Sequence, residues 1–252
     1  MKFLGIIPAR YASTRFPGKP LADIGGKMMI QRVYEQVKTC LDDVWVATDD
    51  ERIAAAVRGF GGQVVMTSDQ HRSGTDRCLE AMQSIKGDYE VIINIQGDEP
   101  FIQPAQVQAL KDCFLEDPNT ELATLIKPFT SMDGLEALIN PNSPKVVVNL
   151  KGEALYFSRS VIPFFRGVEP EHWLQLKTFY KHIGIYAYKA KTLAEIAALP
   201  QSPMELTESL EQLRWLENGY KIKTAVTDIE NLAVDTPEDL ERIRQYLNEK
   251  TV

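Results

Sequence analysis

The stretch IIPARYASTRFPGKPL, residues 6–21, opens as a buried strand and turns into a loop carrying Arg10, Arg15 and Lys19, with no acidic residue before Asp23. The chain as a whole has a formal net charge of −7. Like charges repel, so three uncompensated cations behind a first strand call for an anion between them. In open α/β sheets, ligands bind beyond the carboxyl ends of the strands, and residues 9–19 lie at such an end. Two familiar phosphate loops are excluded: no G-x-G-x-x-G follows the strand, and Gly18-Lys19 is followed by Pro20 rather than Ser or Thr. What remains is P-A-R-x-x-S-x-R-x-P-G-K-P-L. Gly18 lets the backbone approach a ligand, and Pro17 and Pro20 stiffen the approach. Two forked guanidiniums and one compact ammonium suit a triphosphate. A solvated basic loop is the bland alternative.

Around this loop the first half alternates strand and helix. Strands are expected at Phe3–Pro8, Val44–Thr48, Val64–Met66 and Val91–Ile95. Helices are expected at Met28–Leu41, Glu51–Arg58, Thr75–Ile85 and Pro104–Phe114. Asp49 and Asp50 read as caps of the second helix. This βαβα rhythm predicts an α/β fold, a three-layer, mostly parallel Rossmann-like sheet with helices on both faces.

The second half is mixed. Lys145–Leu150 and Ala154–Ser158 flank the turn Lys151-Gly152-Glu153, a hairpin signal. His182–Lys189 alternates, with His182, Gly184, Tyr186 and Tyr188 on one face. Helices are expected at Thr192–Ala198, Thr207–Asn218 and Pro237–Glu249, and strands at Lys221–Thr227 and Leu232–Val234. The Pro-rich stretch Pro128–Pro144 marks the passage to a smaller mixed α+β lobe. The expected organisation is one domain over 1–252, with a first part at 1–127, a second lobe at 128–227 and a C-terminal return at 228–252.

Bulk composition agrees. The 252 residues suit one large domain or one with an inserted lobe, and 44% hydrophobic with 25% charged residues is ordinary for a soluble globular protein. The acidic balance argues against nucleic acid or a membrane surface as partner. No apolar run is long enough to cross a bilayer and no signal peptide is evident, so a cytoplasmic location is expected. Cys40, Cys78 and Cys113 read as reduced core thiols. His71, His172 and His182 lack metal-ligand spacing, so a zinc site is not expected.

Beyond the apolar strand 91–95, the segment INIQGDEPF brings Gln96, Gly97 and Asp98 to the crevice that Lys19 faces. Nucleoside triphosphates enter such sites with Mg²⁺ on one or two carboxylates plus phosphate oxygens. LAVDTPEDL offers Asp235 as a second carboxylate; its helix is capped by Thr236 and does not need it, although Asp before a helix is common.

The loop PARYASTRFPGKPL resembles the signature of sugar nucleotidyltransferases, and within them the cytidylyltransferases that activate sugar acids. HRSGTDR, INIQGDEPFI, ALYFSRSVIP, KHIGIYAY, ESLEQLRWLENG and VDTPEDLERI resemble segments of the branch acting on 3-deoxy-manno-octulosonate (Kdo). The likeness runs over nearly the whole chain. Phe16 stands where Leu is commoner, and Asp76 where Glu is commoner. The resemblance implies a reaction of CTP with Kdo giving CMP-Kdo and pyrophosphate, for lipopolysaccharide biosynthesis, in a homodimer. It implies Mg²⁺ on Asp98 and Asp235. It implies nucleotide contacts from Ala9, Arg10, Arg15, Lys19, Ser73, Arg77 and Gln96, with Lys19, Arg15, Asp98 and Gln96 at the chemistry. It also implies sugar contacts from Arg159, His182, Tyr186 and Glu211.

From spacing alone, a surface arginine paired with Asp76 or Glu80 is the favoured reading of Arg77, and the resemblance reverses it. His182 reads as a satisfied core histidine, and Glu211 as a partner of Arg214. Activation of another sugar acid, 8-amino-Kdo or a sialic acid, stays open, as does a non-catalytic nucleotide-binding module.

Overall fold

The computed structural model describes residues 1–13, 16–230, 233–234 and 236–250, with side chains described through 245. The chain forms two compact units, Met1–Gln108 with Asn231–Val252, and Ala109–Glu230. The first unit runs β1 (Phe3–Ala9), β2 (Asp23–Ile24), β3 (Lys27–Met28), α1 (Met29–Lys38), β4 (Val44–Thr48), α2 (Glu51–Gly59), β5 (Val64–Met66), α3 (Gly74–Ser84) and β6 (Val91–Asn94). The boundary falls within α4 (Pro104–Glu116). The second unit holds β7 (Leu122–Pro128), α5 (Gly134–Ile139), β8 (Lys145–Val148), β9 (Ala154–Ser158), α6 (Trp173–Leu176), β10 (Tyr180–Lys189), α7 (Ala190–Ala197), α8 (Pro203–Glu208), α9 (Gln212–Glu217) and β11 (Lys223–Val226). Helix α10 (Pro237–Lys250) belongs again to the first unit.

In the first unit β1 pairs in parallel with β4 and with β6, and β4 pairs in parallel with β5. Leu4, Ile6, Ile7, Val91, Ile92 and Ile93 are fully buried, the continuous apolar character of strands covered on both faces. Helix α1 buries Ile30, Val33 and Val37, the stripe that the 3.6-residue period predicts. The α/β class and parallel sheet are therefore those read from the sequence. The β2–β3 hairpin was not anticipated; its turn residues Gly25 and Gly26 both have positive φ, 58° and 79°. That is the backbone of a two-residue hairpin turn. The predicted strand Leu232–Val234 falls partly outside the described residues; Ala233 and Val234 are not in a strand.

In the second unit β7 lies between β11, parallel to it, and β10, antiparallel. The β8–β9 hairpin is present and joins β10 through β8. The units divide near 108 and 230, where the sequence reading divides at 127 and 227. Strand β7 sits in the second unit because its pairing partners, β10 and β11, do.

Three sequence expectations need correction. The reading has no element between Phe114 and Lys145, where the structure has β7 and α5. The simple alternation over 182–189 is interrupted by a bulge between Ile183 and Tyr186, around Gly184. The single helix Thr207–Asn218 is in fact the end of α8 and all of α9, broken at Ser209, whose φ of 50° is left-handed.

Candidate active site

At the end of β1 a cavity of about 270 Å³ opens. Among the described residues, four cationic side chains line it, Arg10, Lys19, Arg72 and Arg77, against one carboxylate, Asp98. Such an imbalance in a concave site focuses a positive field on an anion. Backbone at Ala9, Gly74 and Gly97 completes the walls. Gly97 is required where it is: a Cβ there would lie 2.8 Å from the Pro8 carbonyl oxygen. The loop after β6 thus folds against the end of β1 and carries Gln96 and Asp98 into the cavity.

Lys19 opens a short 3₁₀ turn, Lys19–Leu21, capped by Gly18 at φ 74°. Gly18 N donates to Tyr11 O at 2.9 Å, and a Cβ on Gly18 would meet the Tyr11 ring at 3.0 Å. The Arg52 guanidinium lies 3.3 Å from the centroid of that ring. Held this way, Lys19 Nζ donates to Asp98 Oδ2 at 2.7 Å. Val234 N donates to Asp98 O at 3.0 Å, which brings the C-terminal return beside Asp98. Asp235 and Arg15 lie outside the described residues.

Ser73 caps α3 in a capping box with Asp76, so Asp76 is engaged with the helix end. Arg77 is buried, and its Nη1 donates to Thr67 Oγ1 at 2.6 Å and stands 3.2 Å from Asp49 Oδ1. The Asp49 contact is an ion pair without a well-directed hydrogen bond. The expected surface pairing of Arg77 with Asp76 or Glu80 is not what holds it. Asp50 alone caps α2, accepting from Arg52 N at 2.9 Å. Asp49 is therefore not a cap but the counter-charge of a buried arginine.

His71 also lines the cavity, and sequence reasoning gave it no role. Its Nε2 bonds to Glu80, whose carboxyl is held below the usual range first by the Ser68 amide and then by His71. His71 and Arg72 stand in the HRSGTDR segment quoted for its resemblance, which was the available signal.

In the second unit His182 is buried, and burial pushes its pKa down to about 3, so it is neutral. Its Nε2 lies 3.0 Å from Thr124 Oγ1, and the same hydroxyl lies 2.9 Å from Ile185 O. A hydroxyl has one proton; with that proton on the carbonyl, His182 donates from Nε2. The His182 and Tyr186 rings are 5.4 Å apart. Burial, then Tyr188 and Glu211, hold the Tyr186 hydroxyl well above its ordinary pKa, so Glu211 is an electrostatic neighbour of Tyr186. Glu211 also contacts Arg214 at 3.4 Å, as its spacing predicts, though the shorter bonds of Arg214 go to Glu205. Arg159 donates to three carbonyl oxygens, of Glu208, Pro141 and Ser209.

Residues 4–222 match the family model described as Cytidylyltransferase. The chain belongs to the cytidylyltransferase family. A 3-deoxy-manno-octulosonate cytidylyltransferase of Parabacteroides distasonis is 67% identical over 248 residues, 98% of each chain. One of Bacteroides thetaiotaomicron is 64% identical over 251 residues, the full length of both. Among solved structures, CMP:2-keto-3-deoxy-manno-octonic acid synthetase complexed with CTP superposes with a TM-score of 0.90 at 42% identity, covering 99% of this chain and 100% of that one. The CTP held in that solved structure is an anionic nucleotide.

Proposed function

We propose that this chain is a cytidylyltransferase that couples CTP to Kdo, releasing CMP-Kdo and pyrophosphate. The observation that carries the reading is the cavity beyond β1, where, among the described residues, four cations surround one carboxylate that is itself held by Lys19. The CTP-bound relative and the Kdo-named relatives support it. The anomeric hydroxyl of Kdo attacks the α-phosphorus in line. The new C2–O–P bond forms as the bond to the β-phosphate oxygen breaks, and the hydroxyl proton leaves to solvent or pyrophosphate. Arg10, Arg15 and Lys19 hold the phosphates and offset the charge of the transition state. Gln96 orients the reactants; an amide is no base. Ala9, Ser73 and Arg77 border the nucleoside. Arg159, His182, Tyr186 and Glu211 receive the sugar acid, with neutral His182 as a hydrogen-bonding group rather than a charge.

Mg²⁺ is the fitting metal. Among the described residues no three carboxylate, histidine or cysteine groups cluster as a metal cage. One carboxylate in a polyphosphate pocket matches the ion that is held by one or two carboxylates and completes its shell with phosphate and water oxygens. Asp98 and Asp235 would hold it, and when bound it would neutralise phosphate charge and lower the pKa of the attacking hydroxyl. The protein acts in the cytoplasm as a homodimer and supplies lipopolysaccharide synthesis. Exposed Leu150 and Leu155 on the β8–β9 hairpin support the dimer.

The test is pyrophosphate release from each of the four ribonucleoside triphosphates with Kdo, 8-amino-Kdo or a sialic acid. Release with CTP and Kdo above all other pairs is expected. No release with any pair would favour a binding module and overturn the reading.

A further inference from the structure

Ser209 is the one residue other than glycine with positive φ among those described. A left-handed backbone is unfavourable for a residue with a Cβ and persists only where its surroundings over-determine it. This residue makes the corner between α8 and α9, two positions before Glu211.

Two clamps hold the corner. Arg214 donates from Nε and Nη2 to the Glu205 carboxylate at 2.9 and 2.8 Å, tying α9 to α8. The second clamp comes from the end of β9 and centres on Glu208. Its Oε1 accepts from the Ser158 hydroxyl at 2.6 Å and its Oε2 from Arg159 N at 2.9 Å. In return the Arg159 guanidinium donates from Nε to Glu208 O at 2.6 Å and from Nη2 to Ser209 O at 3.2 Å. Glu208 therefore fixes both the backbone from which Arg159 projects and the corner from which Glu211 follows.

Buried Lys145 donates from Nζ to Arg159 O at 2.7 Å. Carbonyl oxygens accept the protons of a guanidinium but leave its charge in place. Lys145 and Arg159 thus stand beside Glu208 as Arg214 stands beside Glu205 and Glu211, so the three cations and three carboxylates named at the corner balance.

We propose that Glu208 is the positioning residue of the sugar-acid site, holding Arg159 and Glu211 in fixed relation without touching substrate. The inference rests on the reading of Arg159 and Glu211 as sugar contacts. Glu208→Gln puts an amide NH₂ against one of two donors that a carboxylate accepts. Ser158→Ala removes one of the same bonds from the other side and serves if Glu208→Gln fails to fold. Steady-state kinetics on the full chain should show KM for Kdo raised roughly tenfold or more, with KM for CTP changed by less than about twofold. Equal effects on both KM values, or no effect on KM for Kdo, would overturn the proposal. Arg159→Ala and Glu211→Gln run alongside. If both leave KM for Kdo unchanged, the sugar-site reading falls and this inference with it. If both raise it and Glu208→Gln does not, only the role of Glu208 falls.

Discussion

Lys19 Nζ and Asp98 Oδ2 lie 2.7 Å apart, though 79 residues separate them in sequence. The pair joins the cation proposed for the phosphates to the carboxylate proposed for Mg²⁺, so each residue restrains the other before substrate arrives. Lys19→Ala is expected to lower kcat/KM by ~10²-fold or more, the size typical of losing one preorganised transition-state contact. Asp98→Asn should remove turnover at any Mg²⁺ concentration while circular dichroism stays native. A Lys19→Ala enzyme with near-normal turnover would remove this pair from the mechanism.

Asp49 is the counter-charge of buried Arg77. Truncation to Asp49→Ala leaves a buried guanidinium with Thr67 as its remaining neutral partner. Breaking a buried pair by removing one member costs ~3 kcal/mol. Urea unfolding should show a loss near that size, together with weaker CTP binding by calorimetry. A stability change below about 0.5 kcal/mol, the level of ordinary surface substitutions, would mean the pair is not buried in solution.

His182 carries a pH dependence with a definite sign. Burial holds its folded pKa at about 3, below the ordinary 6.5. The unfolded chain binds a proton near pH 6.5 that the folded chain refuses until about pH 3. Its contribution to stability is therefore complete above 6.5 and is lost as pH falls toward 3. Between pH 7 and 4.5 the wild type should lose ~2–3 kcal/mol more than His182→Gln, at 1.36 kcal/mol per pKa unit. Parallel pH profiles for the two proteins would contradict this.

Leu155 on β9 is exposed, while Val146 and Phe157 of the same hairpin are buried. Part of the hairpin thus packs within its own unit, and exposed Leu155 is what the proposed homodimer would cover. Leu155→Glu is expected to shift sedimentation from dimer to monomer at micromolar concentration. A wild type that sediments as a monomer would dismiss the dimer itself.

The sequence by itself determined the α/β class, most of the elements of the first unit and the cationic loop at the end of β1. Those signals are local: an apolar run such as 91–94, a stripe at Ile30, Val33 and Val37, a glycine before Lys19. Only the tertiary structure decided that Asp49 faces Arg77 rather than capping α2, and that Arg159 meets the carbonyls of residues 208 and 209. It alone broke the helical pattern at Ser209, where bonds from β9, some 50 residues away, hold a backbone that local propensity disfavours. It also placed His182 in a site dry enough to keep it neutral. Periodicity reports which face of an element is apolar; which charge stands opposite another depends on contacts between distant segments, and no local pattern encodes those.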